Sequence, residues 1–337
     1  MTSDRHARHR IAAAGLAALS DDQLTELLGA GEAGGVGVGG GSVRLTVDGV
    51  PIFAKLIPMT ESELARPRST ENLFRLPMYC QYGVGGPSFG AWRELEANLM
   101  VTEGVLSGAA QGFPVLYHWK VLPGRAAIAD EHKDIDAVAA RLGGSIEVRR
   151  RLEQLAAASH SLVLFLEYLP MPLLDWLSEE PVPKAELVER QLAEIVGFLH
   201  GRGILHMDGH FGNMLTDGHQ IYLADFGLAT SAHFDLSVAE QEFVQRNATH
   251  DADYAAMTLA NWLVRAVDGP SLPRDAPTSA RNAYIRRCAE GHLPDDLPDI
   301  AAGILTRHAA AAARMNDFYW EVFGGNVGAE YPGSLAA

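Results

Sequence analysis

Apolar residues recur along this chain at two spacings, two in some segments and three to four in others. Val43, Leu45 and Val47 alternate with polar neighbours as in a half-buried strand. Asp48-Gly49 follows, a strong two-residue hairpin signal, and residues 50–57 return as the partner strand with Lys55 their one charge. Residues 161–170 form an apolar run ending Glu167-Tyr168-Leu169-Pro170, which predicts a buried strand running into a linker. Between these strands, residues 91–100 carry Trp92, Leu95 and Leu99 on one helical face. In the second half Leu192, Ile195, Val196 and Leu199 make a helical stripe that Gly201 and Gly203 terminate. Ile204-Leu205 and residues 214–215 and 220–224 read as short strands, 254–267 and 301–323 as helices, and 268–300 as loop. Residues 1–33 predict one or two helices.

Composition narrows the class. At 337 residues the chain has material for two lobes and an ample core. A net charge of −15 leaves little for a basic phosphate-binding face, which argues against a nucleic-acid partner and is compatible with a cationic one. No apolar run reaches the ~18 residues of a membrane span. Cys80 and Cys288 fit neither a metal nor a disulfide framework, which points to a reducing, cytoplasmic setting. Arg5, Arg8 and Arg10 ahead of the apolar residues 11–19 are superficially like a secretion leader. That run is short and Ala-rich, however, and Ser20-Asp21-Asp22 after it starts a helix.

The chemistry concentrates in residues 206–227. His206-Met207-Asp208-Gly209-His210-Phe211-Gly212-Asn213 sets an Asp and an Asn five positions apart, and Asp225-Phe226-Gly227 begins twelve positions after the Asn. Phosphoryl transfer from ATP needs such a set: a carboxylate to receive the acceptor hydroxyl, and an amide oxygen with a second carboxylate to hold Mg²⁺.

The run FLHGRGILHMDGHFGNMLTDGHQIYLADFGLA resembles the protein-kinase superfamily, whose equivalent run contains HRDxxxxN and DFG. The resemblance is close over this run and looser to either side. It implies an α+β fold of two lobes, a small antiparallel-sheet N-lobe and a mainly helical C-lobe with ATP in the cleft. The lobes would span residues 34–170 and 171–337, after an N-terminal helical extension over 1–33. It implies that Asp208 receives the acceptor proton, that Asn213 and Asp225 bind Mg²⁺, and that Lys55 neutralises ATP phosphates. The glycine-dense stretch before that strand, around Gly35, Gly37 and Gly40, would bring backbone N–H groups to the phosphates. Relatives pair the Lys with a Glu on the next helix; Glu94 and Glu96 both qualify, with Glu94 preferred. Backbone groups of Glu167 and Leu169 would meet adenine. Asp251 or Asp253 would lock the catalytic loop, and His206 would pack beneath it.

Within the superfamily the acceptor is open. Protein kinases place Lys two positions after the catalytic Asp; here His210 makes D-x-H-x-x-N, which looks like aminoglycoside phosphotransferases and related small-molecule kinases and implies a phosphate contact. Met207 replaces the Arg of HRD, and the stretch after Asp225 is short and lacks a clear APE, Val238-Ala239-Glu240-Gln241 being a remnant. Leu-Ala after DFG is more typical of protein kinases. The lead expectation is therefore transfer of the γ-phosphate to a hydroxyl of a small molecule, with cationic natural products such as antibiotics among the acceptors. The alternatives are a Ser/Thr protein or peptide kinase without activation-loop phosphorylation, and an ATP-binding pseudokinase scaffold. Residues 58–90 form an insert, rich in Pro, Gly and aromatics, that either covers the site or braces the N-lobe.

Overall fold

Strand periodicity governs residues 32–59. β1 (Glu32–Gly37), β2 (Gly40–Val47) and β3 (Val50–Met59) pair antiparallel in succession. Val47 faces Val50 across the predicted hairpin, and Asp48 (φ 49°) and Gly49 (φ 79°) both take the positive φ such a turn requires. The apolar run becomes β5 (His160–Glu167), flanked by β3 and β4 (Leu116–Pro123), so the sheet order is β1-β2-β3-β5-β4, antiparallel throughout. The computed structural model describes residues 2–37, 40–179, 181–267 and 276–333. Residues 38 and 39 of the glycine-dense stretch lie outside them. The α+β class expected from the sequence is what the chain adopts.

Two compact units emerge, residues Met1–Leu169 with Ala224–Gln241, and residues Pro170–Leu223 with Glu242–Ala337. In the first, the sheet carries α1 (Thr2–Ala17), α2 (Asp21–Ala30), α3 (Glu61–Leu64), α4 (Ala91–Leu106), α5 (Ile135–Arg141) and α6 (Ile146–Ala156). Trp92 and Leu95 of α4 bury against Ile57, Met59, Leu162 and Leu164 of the sheet. Ser20 opens α2 with a capping box that includes Gln23. α1 packs on β4, buries Ala12 and Leu16, and so belongs to this unit's core.

The insert braces α4. Its first residue, Ala91, follows a glycine with no capping side chain, and Glu63 supplies the acceptor instead, taking the Ala91 N–H at 2.8 Å. Glu63 also accepts from Thr60 N and Oγ1 at 2.8 and 2.7 Å and pairs with the fully buried Arg151 at 3.2 Å. Burial alone would raise the Glu63 pKa; the Arg151 charge and these donors outweigh it and hold the carboxyl below its usual range. The Trp92 indole donates to the Glu63 carbonyl at 2.8 Å. Further along, Arg93 donates to the Thr70 carbonyl at 2.7 Å and to Glu240 at 2.5 Å, stacking over Phe89 and Phe234. Thr70 and Asp235 exchange two hydrogen bonds, at 2.9 and 2.8 Å. The remnant Glu240 thus serves as a buried counter-ion for α4.

In the second unit, β6 (Met171–Pro172), β8 (Met214–Thr216) and β9 (Ile221–Leu223) form a small antiparallel sheet. Around it lie α7 (Leu173–Trp176), α8 (Pro181–Gly201), the short strand β7 (Ile204–Leu205), the part of α9 (Val238–Arg246) that follows Gln241, α10 (His250–Ala266), α11 (Thr278–Ala289) and α12 (Asp299–Phe323). α10 packs on both α8 and α12. Two expectations are corrected here. α10 begins at His250, four residues ahead of the predicted start, with Asp251 and Asp253 in its first turn beside the positive end of the helix dipole. The stretch expected as loop, 268–300, contains α11: Asn282, Ile285 and Cys288 recur at three and bury, a stripe masked by the Pro and Asp residues flanking it. Residues 268–275 lie outside the described residues.

Glu240→Ala is expected to destabilise the protein by roughly 3–5 kcal/mol, because it leaves the buried Arg93 guanidinium without its carboxylate. The double variant Arg93→Met, Glu240→Leu should recover much of that loss. Urea denaturation of the three proteins measures both effects; a loss under about 1 kcal/mol for Glu240→Ala, the range of an exposed pair, would contradict the assignment.

Candidate active site

Lys55 lies on β3 with its side chain almost wholly buried, an expensive place for an ammonium unless it is paired. Two carboxylates meet it: Glu94 of α4 through Oε1 at 2.6 Å and Asp225 through Oδ1 at 2.8 Å. Burial alone would lower the Lys55 pKa, but the charges of Asp225 and Glu94 outweigh it and raise it, so the ammonium is retained. One ammonium shared by two carboxylates leaves the more buried acid under-compensated, and burial lifts Glu94 to about 7 against the pull of Lys55. Glu96, the other candidate, pairs with Arg68 instead.

Asp225 adopts φ 63°, a left-handed conformation that costs a non-glycine residue about 1 kcal/mol or more and is stored where a side chain must be aimed. Its Oδ1 also accepts the Gly227 N–H at 3.2 Å, while Phe226 is buried and tilts against Phe113 at 6.1 Å. The Asp225 side chain remains 44% exposed.

Among the glycines, Gly37 faces Gly40 at the β1–β2 end and Ser42 faces Lys55. Gly40 sits at φ 122°, and a Cβ there would lie 1.9 Å from the Leu56 carbonyl oxygen, so only glycine fits next to the Lys55 strand. Gly35 has open space around it.

At the end of β5, the Glu167 N–H donates to the Val115 carbonyl at 2.8 Å, and Leu169 is buried. The Glu167 carboxylate is gripped by α1: Arg5 Nε lies 3.1 Å from both oxygens and Arg8 Nη2 2.9 Å from Oε1. Arg5 also donates to the carbonyls of Phe113 and Gln111 at 2.6 and 3.0 Å. Sequence reasoning missed this clamp. Its local signal is only two arginines spaced three apart on a helix, inside a basic stretch that superficially resembles a leader.

Asp208, His210 and Asn213 belong to the second unit. Their loop hangs from Asp251, whose carboxylate accepts the N–H of His206 at 2.6 Å and of Met207 at 3.0 Å. Of the two candidate locking residues, Asp251 therefore holds the loop, whereas Asp253 accepts from Tyr331 at 2.7 Å and Arg314 at 3.2 Å. Met207 is fully buried at φ 66°, so the position that carries Arg in the resembling family here carries an apolar anchor. His206 is buried, and its Nδ1 accepts the Asp208 N–H at 3.3 Å.

Asn213 Nδ2 donates to the Asp208 carbonyl at 2.9 Å and to Oδ2 at 3.0 Å. That bond orients the carboxylate and turns the amide oxygen into the atom a metal would use. His210 Nε2 stands 3.7 Å from Asp208 Oδ1. A Cβ on Gly212 would come within 2.8 Å of the His210 ring, so this glycine is what lets the imidazole lie back over the loop. The Tyr254 hydroxyl is pushed up by burial and by the charges of Asp208 and Asp251, which places it in the field of both.

The structure thus gathers Lys55, Glu94 and Asp225 in one unit and Asp208, His210 and Asn213 in the other. Among the described residues no three His, Cys, Asp or Glu side chains converge as a metal cage. Asn213 and Asp225 are hard oxygen donors, the type Mg²⁺ takes in ones and twos while waters and phosphates complete its shell. The second unit also contains a cavity of about 580 Å³ whose wall includes His210, Phe211, Tyr254, Trp262 and Arg265. No Asp or Glu contributes to that wall among the described residues.

No protein-family model matches the sequence. A probable bifunctional tRNA threonylcarbamoyladenosine biosynthesis protein of Methanosarcina barkeri (strain Fusaro / DSM 804) is 34% identical over 90 residues, which is 25% of this chain and 16% of that protein. The chain therefore spans only a small part of the curated relative it matches. Among the described residues no helix is long and apolar enough to cross a membrane.

Asp251 offers a test of the loop anchor. Burial would raise its carboxyl, but bonds and charges from His250 and His206 outweigh that and hold it below its usual range. A depressed folded-state pKa contributes stability that is present above the unfolded value of about 4 and lost as pH falls through the folded one. Asp251→Asn should cost roughly 1–3 kcal/mol at neutral pH and speed amide exchange at His206 and Met207. The gap from wild type should narrow as pH falls below about 4. An equal gap at pH ~7 and pH ~3 would mean that the charge of Asp251 does not hold the loop.

Proposed function

We propose that this chain is an ATP- and Mg²⁺-dependent phosphotransferase that moves the γ-phosphate of ATP to a hydroxyl of a small molecule. The observation that carries the reading is the Asn213–Asp208 bond on a loop anchored by Asp251. A nucleotide-binding scaffold has no use for a carboxylate aimed and held in this way, whereas an acceptor hydroxyl needs one. The Lys55–Glu94–Asp225 cluster supports the same reading, because it keeps a cation and a half-exposed carboxylate ready for phosphate and metal. The partial likeness to a tRNA-modification protein neither names an acceptor nor extends over the chain.

In this mechanism the acceptor oxygen bonds to the γ-phosphorus while the bridging oxygen leaves with its electron pair as ADP, and the hydroxyl proton passes to Asp208. Lys55 holds phosphate oxygens, fixed in direction by Glu94. Asn213 Oδ1 and Asp225 would hold Mg²⁺, whose charge would offset the negative charge on the phosphates. His210, beside Asp208, would donate to an oxygen of the transferred group. The glycines near Lys55 admit backbone N–H groups to the phosphates, and the end of β5 at Glu167 and Leu169 would receive the adenine.

A transfer assay with γ-labelled ATP and Mg²⁺ tests the proposal. Asp208→Ala should lower transfer by roughly 10²–10⁴-fold and leave ATP binding intact. Lys55→Ala should lower it by roughly 10²-fold or more, because it removes charge stabilisation from the transition state. Near wild-type transfer in either variant would overturn the assignment, and label appearing only on protein substrates would replace the small-molecule acceptor.

A further inference from the structure

The cavity beside His210 has a chemistry that the acceptor must match. Its floor comes from the catalytic loop through His210 and Phe211 and its sides from α7 and α10. His210 ties it to the proposed base, since His210 Nε2 is 3.7 Å from Asp208 Oδ1. Tyr254, within the field of Asp208, lines the same space. A volume of about 580 Å³ falls in the range of pockets that enclose a small organic molecule.

Aromatic and aliphatic groups dominate the wall. Trp262 and Phe211 lie against one another with centroids 5.9 Å apart and planes inclined by 58°, a fixed apolar corner. Asn261 also contributes, and its amide is immobilised by reciprocal bonds to Asn316 at 2.9 and 3.1 Å. The formal charge of the wall is cationic. Arg265 lines it, and no carboxylate does among the described residues, although the protein as a whole carries −15. Arg265 is exposed and makes no ion pair among the described residues.

We infer that this cavity is the acceptor subsite, and that it takes a hydroxyl-bearing molecule with a flat apolar body and an anionic group. The body would lie on the Trp262–Phe211 corner, the anion on Arg265, and the hydroxyl toward Asp208. This inference rests on the phosphotransferase reading for the word acceptor; the ligand class follows from the wall alone. It runs opposite to the cationic acceptor that the overall charge suggests, because an ammonium on this wall would meet Arg265, and among the described residues no carboxylate lines the wall.

Three probes that share one body and differ in charge decide the matter: para-(hydroxymethyl)benzoate, benzyl alcohol and para-(hydroxymethyl)benzylamine. Binding is read first, by tryptophan fluorescence without ATP. The chain has five tryptophans, so the signal is assigned by its loss in Trp262→Phe. The benzoate is expected to bind roughly tenfold or more tightly than the benzylamine at low salt, with benzyl alcohol between them. Arg265→Glu should reverse that order. Equal binding, tighter binding of the benzylamine, or no Trp262-dependent signal for any probe up to millimolar concentration would overturn the inference. Phosphoryl transfer to the benzoate is then measured with γ-labelled ATP. Charge-selective binding without transfer to any acceptor would count against the phosphotransferase reading and leave the ligand class standing, so the two failures are separable.

Discussion

One carboxylate sets the geometry of the loop that carries Asp208, His210 and Asn213. Asp251 takes two successive backbone N–H groups, those of His206 and Met207, and so fixes the backbone at the point where Met207 enters a left-handed conformation. A β-unbranched but bulky residue pays for that conformation, and the payment is met by burying its side chain completely and by bonds to an ionised acceptor. From that fixed point Asp208 is directed, Asn213 closes back onto it, and the His210 ring settles over Gly212. Asp251 is itself held by His250, which stacks on Tyr254 at 5.5 Å. The aim of the Asp208 carboxylate is therefore set from Asp251, 43 positions on (251 − 208) in helix α10.

The first unit solves a related problem with buried ion pairs. Lys55, Arg93 and Arg151 are each buried, and each meets a carboxylate from a different segment: Glu94, Glu240 and Glu63. Such pairs add little net stability over apolar substitutes but are costly to break, so they specify which segments must adjoin. α4 is the common partner. Glu94 and Arg93 are on it, and Glu63 supplies the acceptor at its start. An insert of irregular composition is tolerated because its polar backbone ends on these hubs.

What the sequence disclosed and what it hid divide along physical lines. Period-two and period-three patterns exposed the β2–β3 hairpin, the strand ending at Glu167 and the helices bearing Glu94 and Leu192, because burial on one face is written locally. The stretch 206–227 stood out because it sets an Asp, an Asn and a second Asp at fixed spacing, and the bond from Asn213 to Asp208 shows two of these side chains brought together. Choosing between Glu94 and Glu96 needed three dimensions, as both are on the same turn and only one faces Lys55. The Arg5–Glu167 clamp joins residues 162 positions apart, and no local period reports it. α11 was hidden by flanking Pro and Asp residues that read as loop. The acidic total charge suggested cations, yet the wall near His210 is locally basic, since net charge reports the whole solvated surface and not one cavity.

The first unit is discontinuous in sequence, and this has a consequence for biogenesis. Residues 1–169 emerge from the ribosome well before residues 224–241, which supply Asp225 to Lys55 and Glu240 to Arg93. At about 5–20 residues per second, the nascent sheet spends several seconds with the Arg93 guanidinium lacking its counter-charge. Closure of this unit is thus deferred until more than two thirds of the chain has been made. During that interval the intervening segment, which bears Asp208 and Asn213, is synthesised in full. The chain consequently contains Lys55, Glu94, Asp208 and Asn213 before either unit is complete, and a nascent chain stalled ahead of residue 224 lacks the carboxylates that the first unit's buried Lys55 and Arg93 share with the later segment.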